Sequence, residues 1–163
     1  MKTVIIYSSR HGFTEKAAEK LSERLTSLVD LKNLDTNFER DFSEYHNIIF
    51  GTPVYEGKIR NLTAKYIEEN LEELCKKNLG LFICASENTP VEKIINSNLP
   101  KNFCEQLKVK GHFGYGVDFE KLNRRERVES KIILKKTESE MAFNEKNIIE
   151  FAEIVNQIDF VRR

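Results

Sequence analysis

Val4-Ile5-Ile6-Tyr7-Ser8-Ser9-Arg10-His11-Gly12-Phe13-Thr14 is the stretch whose reading decides the fold. Val4 to Tyr7 is apolar, β-branched and bounded by polar residues, which reads as a strand. From Glu15 onward Ala17, Ala18, Leu21 and Leu25 recur at helical spacing, so the loop from Ser8 to Thr14 opens a helix. The first N–H groups of a helix lack intrahelical acceptors and the helix dipole is positive there, so a phosphate is favoured. Ser8, Ser9 and Thr14 add hydroxyls, Gly12 permits close backbone approach, Arg10 brings charge, and the His11 ring can donate. An ordinary solvated strand-to-helix turn would use the same Ser and Thr as caps, and spacing alone leaves both readings open. Two sharper phosphate motifs are absent: there is no Walker Lys-Ser/Thr, and one glycine is not the triple-glycine dinucleotide fingerprint.

The chain of 163 residues has the length of one ordinary domain and is expected to be one, spanning 1–163. With 40% hydrophobic residues and three prolines it is not of disordered composition. Lys plus Arg number 26 and so do Asp plus Glu, so no global field recruits nucleic acid. Cys75, Cys84 and Cys104 show no C-x-x-C spacing and leave an odd one in any pairing; with Cys84 read as a small core residue and the other two as free thiols, a reducing cytoplasm is expected. No apolar run approaches the roughly 18 residues of a membrane-spanning helix, and the few apolar residues after Thr3 are too short for a signal peptide.

Taken in order, Leu28 to Leu31 reads as a short edge strand carrying Asp30, and Phe38, Phe42 and Tyr45 tuck an irregular stretch onto the core. Ile48 to Gly51 is the next strand, followed by a loop over Thr52-Pro53-Val54-Tyr55-Glu56-Gly57-Lys58 and one helix over Asn61 to Lys76. Leu79 to Ala85 is a nearly unbroken apolar strand, ending in a loop with Ser86, Glu87 and Asn88. Helical turns over Val91 to Gln106 break at Leu99-Pro100, a fifth strand covers Val109 to Gly116, a charged helix covers Phe119 to Lys135, and a last helix starts from an Asn144 cap. Five strands alternating with helices imply a doubly wound parallel α/β sheet with helices on both faces. The first, third and fourth strands are apolar throughout, as central strands must be, which gives the order 2-1-3-4-5. Ligand then binds at the carboxyl ends of strands one and three, where the Ser8 and Thr52 loops emerge.

In the second loop Pro53 stiffens the backbone, Tyr55 offers a face for a planar heterocycle, and Gly57 can bring backbone against its edge. A phosphoacceptor receiver domain, the rival use of this fold, needs acids where Tyr7-Ser8 and Phe50-Gly51 stand, and is excluded.

The loop Ser8 to Thr14 resembles the Thr/Ser-rich phosphate loop of flavodoxin-like proteins. It is most similar to the version in menaquinone-dependent protoporphyrinogen oxidases and related short flavodoxin-domain proteins, where Arg follows the hydroxyl pair and Gly-x-Thr closes the loop. Gly51-Thr52-Pro53-Val54-Tyr55-Glu56-Gly57-Lys58 resembles the family's second flavin loop, and similarity covers nearly the whole chain. The resemblance implies non-covalent FMN, with Ser9, Arg10, His11, Gly12, Phe13 and Thr14 on its phosphate and the Pro53 to Gly57 loop flanking the isoalloxazine. Glu56 near that ring would lower its potential by its charge. The implied function is electron transfer or oxidoreduction with a redox protein, a small molecule or a quinone as acceptor; protoporphyrinogen oxidation in heme biosynthesis is one alternative, and a flavin-free interaction domain on the same fold is another. Two departures point toward an enzyme-like relative: the loop Cys84 to Thr89 lacks the family's usual aromatic, and the chain is neutral where flavodoxins are commonly acidic. One ring face is then open or covered by Tyr115 or Phe119.

His46 and His112 read as structural, and the three histidines make no metal site by spacing. Between Glu120 and Lys136 seven Lys/Arg stand against three Glu. Such a helix is either a solvated face laced with pairs such as Glu120 with Arg124, or a docking patch for an acidic partner, a propionate-bearing substrate or an anionic membrane surface.

Overall fold

The computed structural model describes residues 1–117, 122–133 and 140–161. Its strands are β1 (Lys2–Tyr7), β2 (Leu28–Asn33), β3 (Asn47–Tyr55), β4 (Lys58–Ile59), β5 (Asn78–Cys84), β6 (Leu107–His112), β7 (Gly114–Val117) and β8 (Glu140–Phe143). Its helices are α1 (Phe13–Ser22), α2 (Asn61–Glu69), α3 (Leu71–Leu74), α4 (Val91–Asn98), α5 (Lys101–Gln106), α6 (Arg124–Ile133) and α7 (Glu145–Val161).

The main sheet runs β2-β1-β3-β5-β6, all neighbours parallel, with β4 paired antiparallel to β3. In chain order of the parallel strands this is the expected 2-1-3-4-5. Alternation along β1 sorts its side chains into two cores, as a strand buried on both faces requires. Val4 and Ile6 join Ile48, Phe50, Leu81 and Ile83 under Tyr66, Ile67, Ile95 and Phe103 of α2, α4 and α5. Ile5 and Tyr7 join Ile49 and Phe82 under Ala17, Ala18 and Leu21 of α1 and Phe151 and Val155 of α7. Phe42 and Tyr45 are buried and Phe38 packs on the first of these cores, as expected.

Several boundaries differ from the sequence reading. Strand β3 continues through Thr52, Pro53 and Val54, all buried, so the expected loop is instead a two-residue hairpin turn at Glu56-Gly57 with β4. Asn70 splits the expected helix over Asn61 to Lys76 into α2 and α3; its Nδ2 donates to the Tyr66 carbonyl at 2.7 Å, closing the first helix. The expected fifth strand ends at His112. Gly114, at φ 107°, turns the chain away so that Gly114–Val117 pairs antiparallel with β8, a strand the sequence reading missed. The charged helix is α6 among the described residues. Phe119, Glu120 and its expected pair with Arg124, and residues 134–136 lie outside the described residues. Asn144 caps α7 as expected, its Oδ1 accepting the Asn147 N–H at 3.1 Å. Among the described residues no helix is long and apolar enough to cross a membrane.

Candidate functional site

The carboxyl ends of β1 and β3 deliver two loops side by side. After β1 the backbone turns through Gly12, at φ 82°, into α1. Ser9 N–H donates to Asp35 Oδ2 at 3.3 Å, and Glu15 N–H donates to Ser9 Oγ at 3.4 Å. Among the described residues no acceptor meets the five N–H groups between them, from Arg10 to Thr14. Five successive donors at a helix N-terminus, with one residue left-handed, form a concave anion nest.

Ser8 does not face that nest. It is fully buried, and its Oγ bonds Thr63 Oγ1 at 2.8 Å. Thr63 Oγ1 in turn donates to Thr52 Oγ1 at 3.2 Å, so Ser8 and Thr52 tie β1 and β3 to α2, and Val54 belongs to the core. Thr14 is also buried and lines one cavity with Cys84. Burial pushes the Cys84 thiol up to about 12, the Thr14 hydroxyl opposing the shift, so the sulfur is held as thiol.

Beside the nest lies a cavity of about 20 Å³, room for a water molecule, lined by His11, Phe13, Thr14, Pro53, Tyr55, Cys84, Tyr115 and Gly116. Tyr55, 39% exposed at the β3–β4 turn, meets the His11 ring edge-on at 5.8 Å. His11 Nδ1 is buried with no partner among the described residues. Burial lowers His11 below the usual histidine value, Arg10 and Arg60 push the same way, and Glu126 and Glu129 of α6 oppose them. Those two carboxylates are themselves engaged within α6 and its cap, Glu126 accepting the Asn123 N–H at 3.0 Å and Glu129 pairing with Arg125 at 3.0 Å.

Ser86, Glu87 and Asn88 line an adjoining open cleft of about 610 Å³ with His112, Phe143 and Glu145; Tyr115 borders both spaces. His112 Nε2–H donates to the Ala85 carbonyl at 2.6 Å and His46 Nδ1 accepts the Lys2 N–H at 3.4 Å, so both act as the structural histidines expected. Asp30 pairs with Lys2 at 2.9 Å and accepts the Tyr45 hydroxyl at 2.7 Å, which makes it a clamp on the sheet edge. Among the described residues no group of three His, Cys, Asp or Glu stands together as a metal site.

A doubly wound parallel sheet with an anion nest at its switch point defines a mononucleotide-binding class of α/β protein. Within it the chain belongs to the flavodoxin domain family, whose model matches residues 4–143. A flavodoxin from Clostridium saccharobutylicum is 36% identical over 84 residues; the match takes in 49% of this chain and about half, 52%, of that protein. Among solved structures, a flavodoxin from Streptococcus pneumoniae TIGR4 aligns over 97% of this chain and 99% of its own at a TM-score of 0.58 and 18% identity. The rubredoxin oxygen:oxidoreductase of Desulfovibrio gigas aligns over 98% of this chain and 37% of its own at a TM-score of 0.57 and 15% identity. These likenesses carry the fold, in the second case as one part of a larger chain. The matches support the flavodoxin family and not the expected protoporphyrinogen oxidase resemblance.

Proposed function

We propose that this chain holds FMN non-covalently and transfers electrons through it. The observation that carries the reading is the run of five N–H groups from Arg10 to Thr14 that meet no acceptor among the described residues, opening beside a cavity walled by tyrosines. Backbone donors suit a phosphate, and Arg10 and His11 stand in the same loop. The flavin supplies the redox chemistry when bound. The chain's own part is to fix the phosphate by Ser9, Gly12, Phe13 and Thr14, to keep water from the ring with Pro53, Tyr55 and Gly57, and to set the local charge through Glu56. Ser86, Glu87 and Asn88 border this space from the adjoining cleft. The Tyr55 ring sits half-exposed at the end of β3, beside the hairpin turn.

Electrons would pass to a redox protein or to a small acceptor such as a quinone, in a reducing cytoplasm where three unpaired thiols persist. The test is titration of the apo-protein with FMN and with riboflavin, following flavin fluorescence and thermal melting, in wild type and in Ser9→Ala/Thr14→Ala. Saturable binding at micromolar FMN or below, with riboflavin weaker and the FMN preference reduced in the variant, is expected. No quenching and no melting shift would overturn the reading.

A further inference from the structure

We propose that Tyr115 is the second aromatic wall of the flavin ring, supplied by the β7–β8 hairpin in place of the loop after β5; this rests on the FMN reading above. The loop Ser86 to Thr89 has no aromatic, closes on itself through Ser86 Oγ and Thr89 Oγ1 at 3.3 Å, and lines the open cleft and not the narrow cavity. Tyr115 and Tyr55 line the narrow cavity together, one from β7 and one from the end of β3. A flat ring entering beside the nest meets both.

The hairpin holds Tyr115 in place by contacts on either side. The Gly114 carbonyl accepts the Ala85 N–H at 2.8 Å, and the Phe113 carbonyl accepts the Asn144 N–H at 2.9 Å. Tyr115 itself sits opposite Ala142 in the ladder. At the far strand Phe143 stacks on Phe13, with centroids 4.5 Å apart and planes 17° from parallel. Lys20 lies over the Phe143 ring at 4.9 Å and bridges Glu145 at 2.6 Å, and Arg24 reaches the same carboxylate at 3.2 Å. Phe13 and Lys20 belong to α1, whose first turn forms the nest. The anion loop and the Tyr115 wall are therefore one mechanical unit, while Tyr55 rides on the separate β3–β4 hairpin. An aromatic wall fixed in this way needs no reordering when a ring stacks on it.

The experiment is FMN titration of the full chain in wild type, Tyr115→Leu, Tyr115→Phe and Tyr55→Leu, with amide hydrogen exchange of wild type with and without FMN. Tyr115→Leu is expected to bind FMN roughly 3- to 10-fold more weakly and to quench it less, with Tyr115→Phe close to wild type. FMN should also slow exchange in residues 114–117 and 140–143. Wild-type affinity and quenching in Tyr115→Leu, or unchanged hairpin exchange, would overturn the assignment while wild-type binding leaves the FMN reading standing. Failure of the wild type to bind FMN would overturn both.

Discussion

Asp35 takes both guanidinium nitrogens of Arg60 at 2.7 Å, and the same carboxylate accepts the Ser9 N–H. The pair thus joins the loop after β2, the N-terminus of α2 and the first residue of the anion loop. Burial works against ionisation of Asp35, but the Arg60 fork, its charge and the Ser9 N–H outweigh it and hold the carboxyl below the usual range. A depressed folded value means that the stabilisation is present above the ordinary carboxylate value of 3.8 and is lost as pH falls through the lower folded value. The two side chains are about a third and a quarter exposed, so screening limits the pair. Asp35→Asn should cost about 1 kcal/mol at neutral pH. In denaturant titrations that cost should shrink toward zero below pH 3.8, and a pH-independent difference would count against the pair.

Glu56 is the one described non-glycine residue with positive φ, at 51°, and Gly57 follows at 74°. Two left-handed residues in succession make the turn that matches the twist of a two-residue hairpin, where Asn-Gly is the favoured pair. A glutamate there costs roughly 1 kcal/mol of backbone strain, and such strain gathers at functional sites. Glu56→Asn should therefore raise stability by up to about 1 kcal/mol, read as a higher unfolding midpoint at unchanged denaturant slope. Should glutamate also set the flavin potential, Glu56→Gln will raise the midpoint potential while leaving the turn strained.

The sheet was legible because Val4 to Tyr7, Ile48 to Phe50 and Leu79 to Cys84 are apolar without alternation, a pattern only two-sided burial explains. The Ser8 to Thr14 loop was legible because a strand, a polar turn with Gly12 and a helical repeat follow one another within local range. The β7–β8 hairpin was not, because Gly114 to Val117 pairs with residues more than twenty positions away, and strand pairing across such a gap leaves no local period. For the same reason Ser8 read as a phosphate ligand: its hydroxyl is claimed by Thr63, 55 residues on, which loop composition cannot reveal. Thr52 to Val54 read as loop because Pro53 lacks an N–H; it is tolerated inside β3 beside Cys84 of β5.

The three thiols should differ sharply in reactivity. Cys84 is buried with its thiol pushed up to about 12, and burial likewise raises Cys104, whereas Cys75 is half-exposed at the end of α3. Since the thiolate is the reacting form, one thiol per chain should label with an aromatic disulfide reagent under native conditions and three after denaturation. Mapping the native label to Cys84 would show that the cavity opens in the folded protein.

Gly51 and Gly114 separate the stability of the sheet from that of the hairpin. A Cβ on Gly51 would fall 2.2 Å from Phe82 Cζ, inside the ring that itself stacks on Phe113 at 4.2 Å. A Cβ on Gly114 would fall 2.0 Å from the Ala142 carbonyl oxygen, at a φ that only glycine adopts easily. Gly51→Ala forces an aromatic of the central core aside and should destabilise the whole fold by about 3 kcal/mol or more. Gly114→Ala displaces a strand that the main sheet does not need, so the far-ultraviolet spectrum and most slow-exchanging amides should survive while residues 140–143 exchange freely. Equal loss of amide protection in β3 and β5 for both variants would mean that the β7–β8 pair is integral to the sheet.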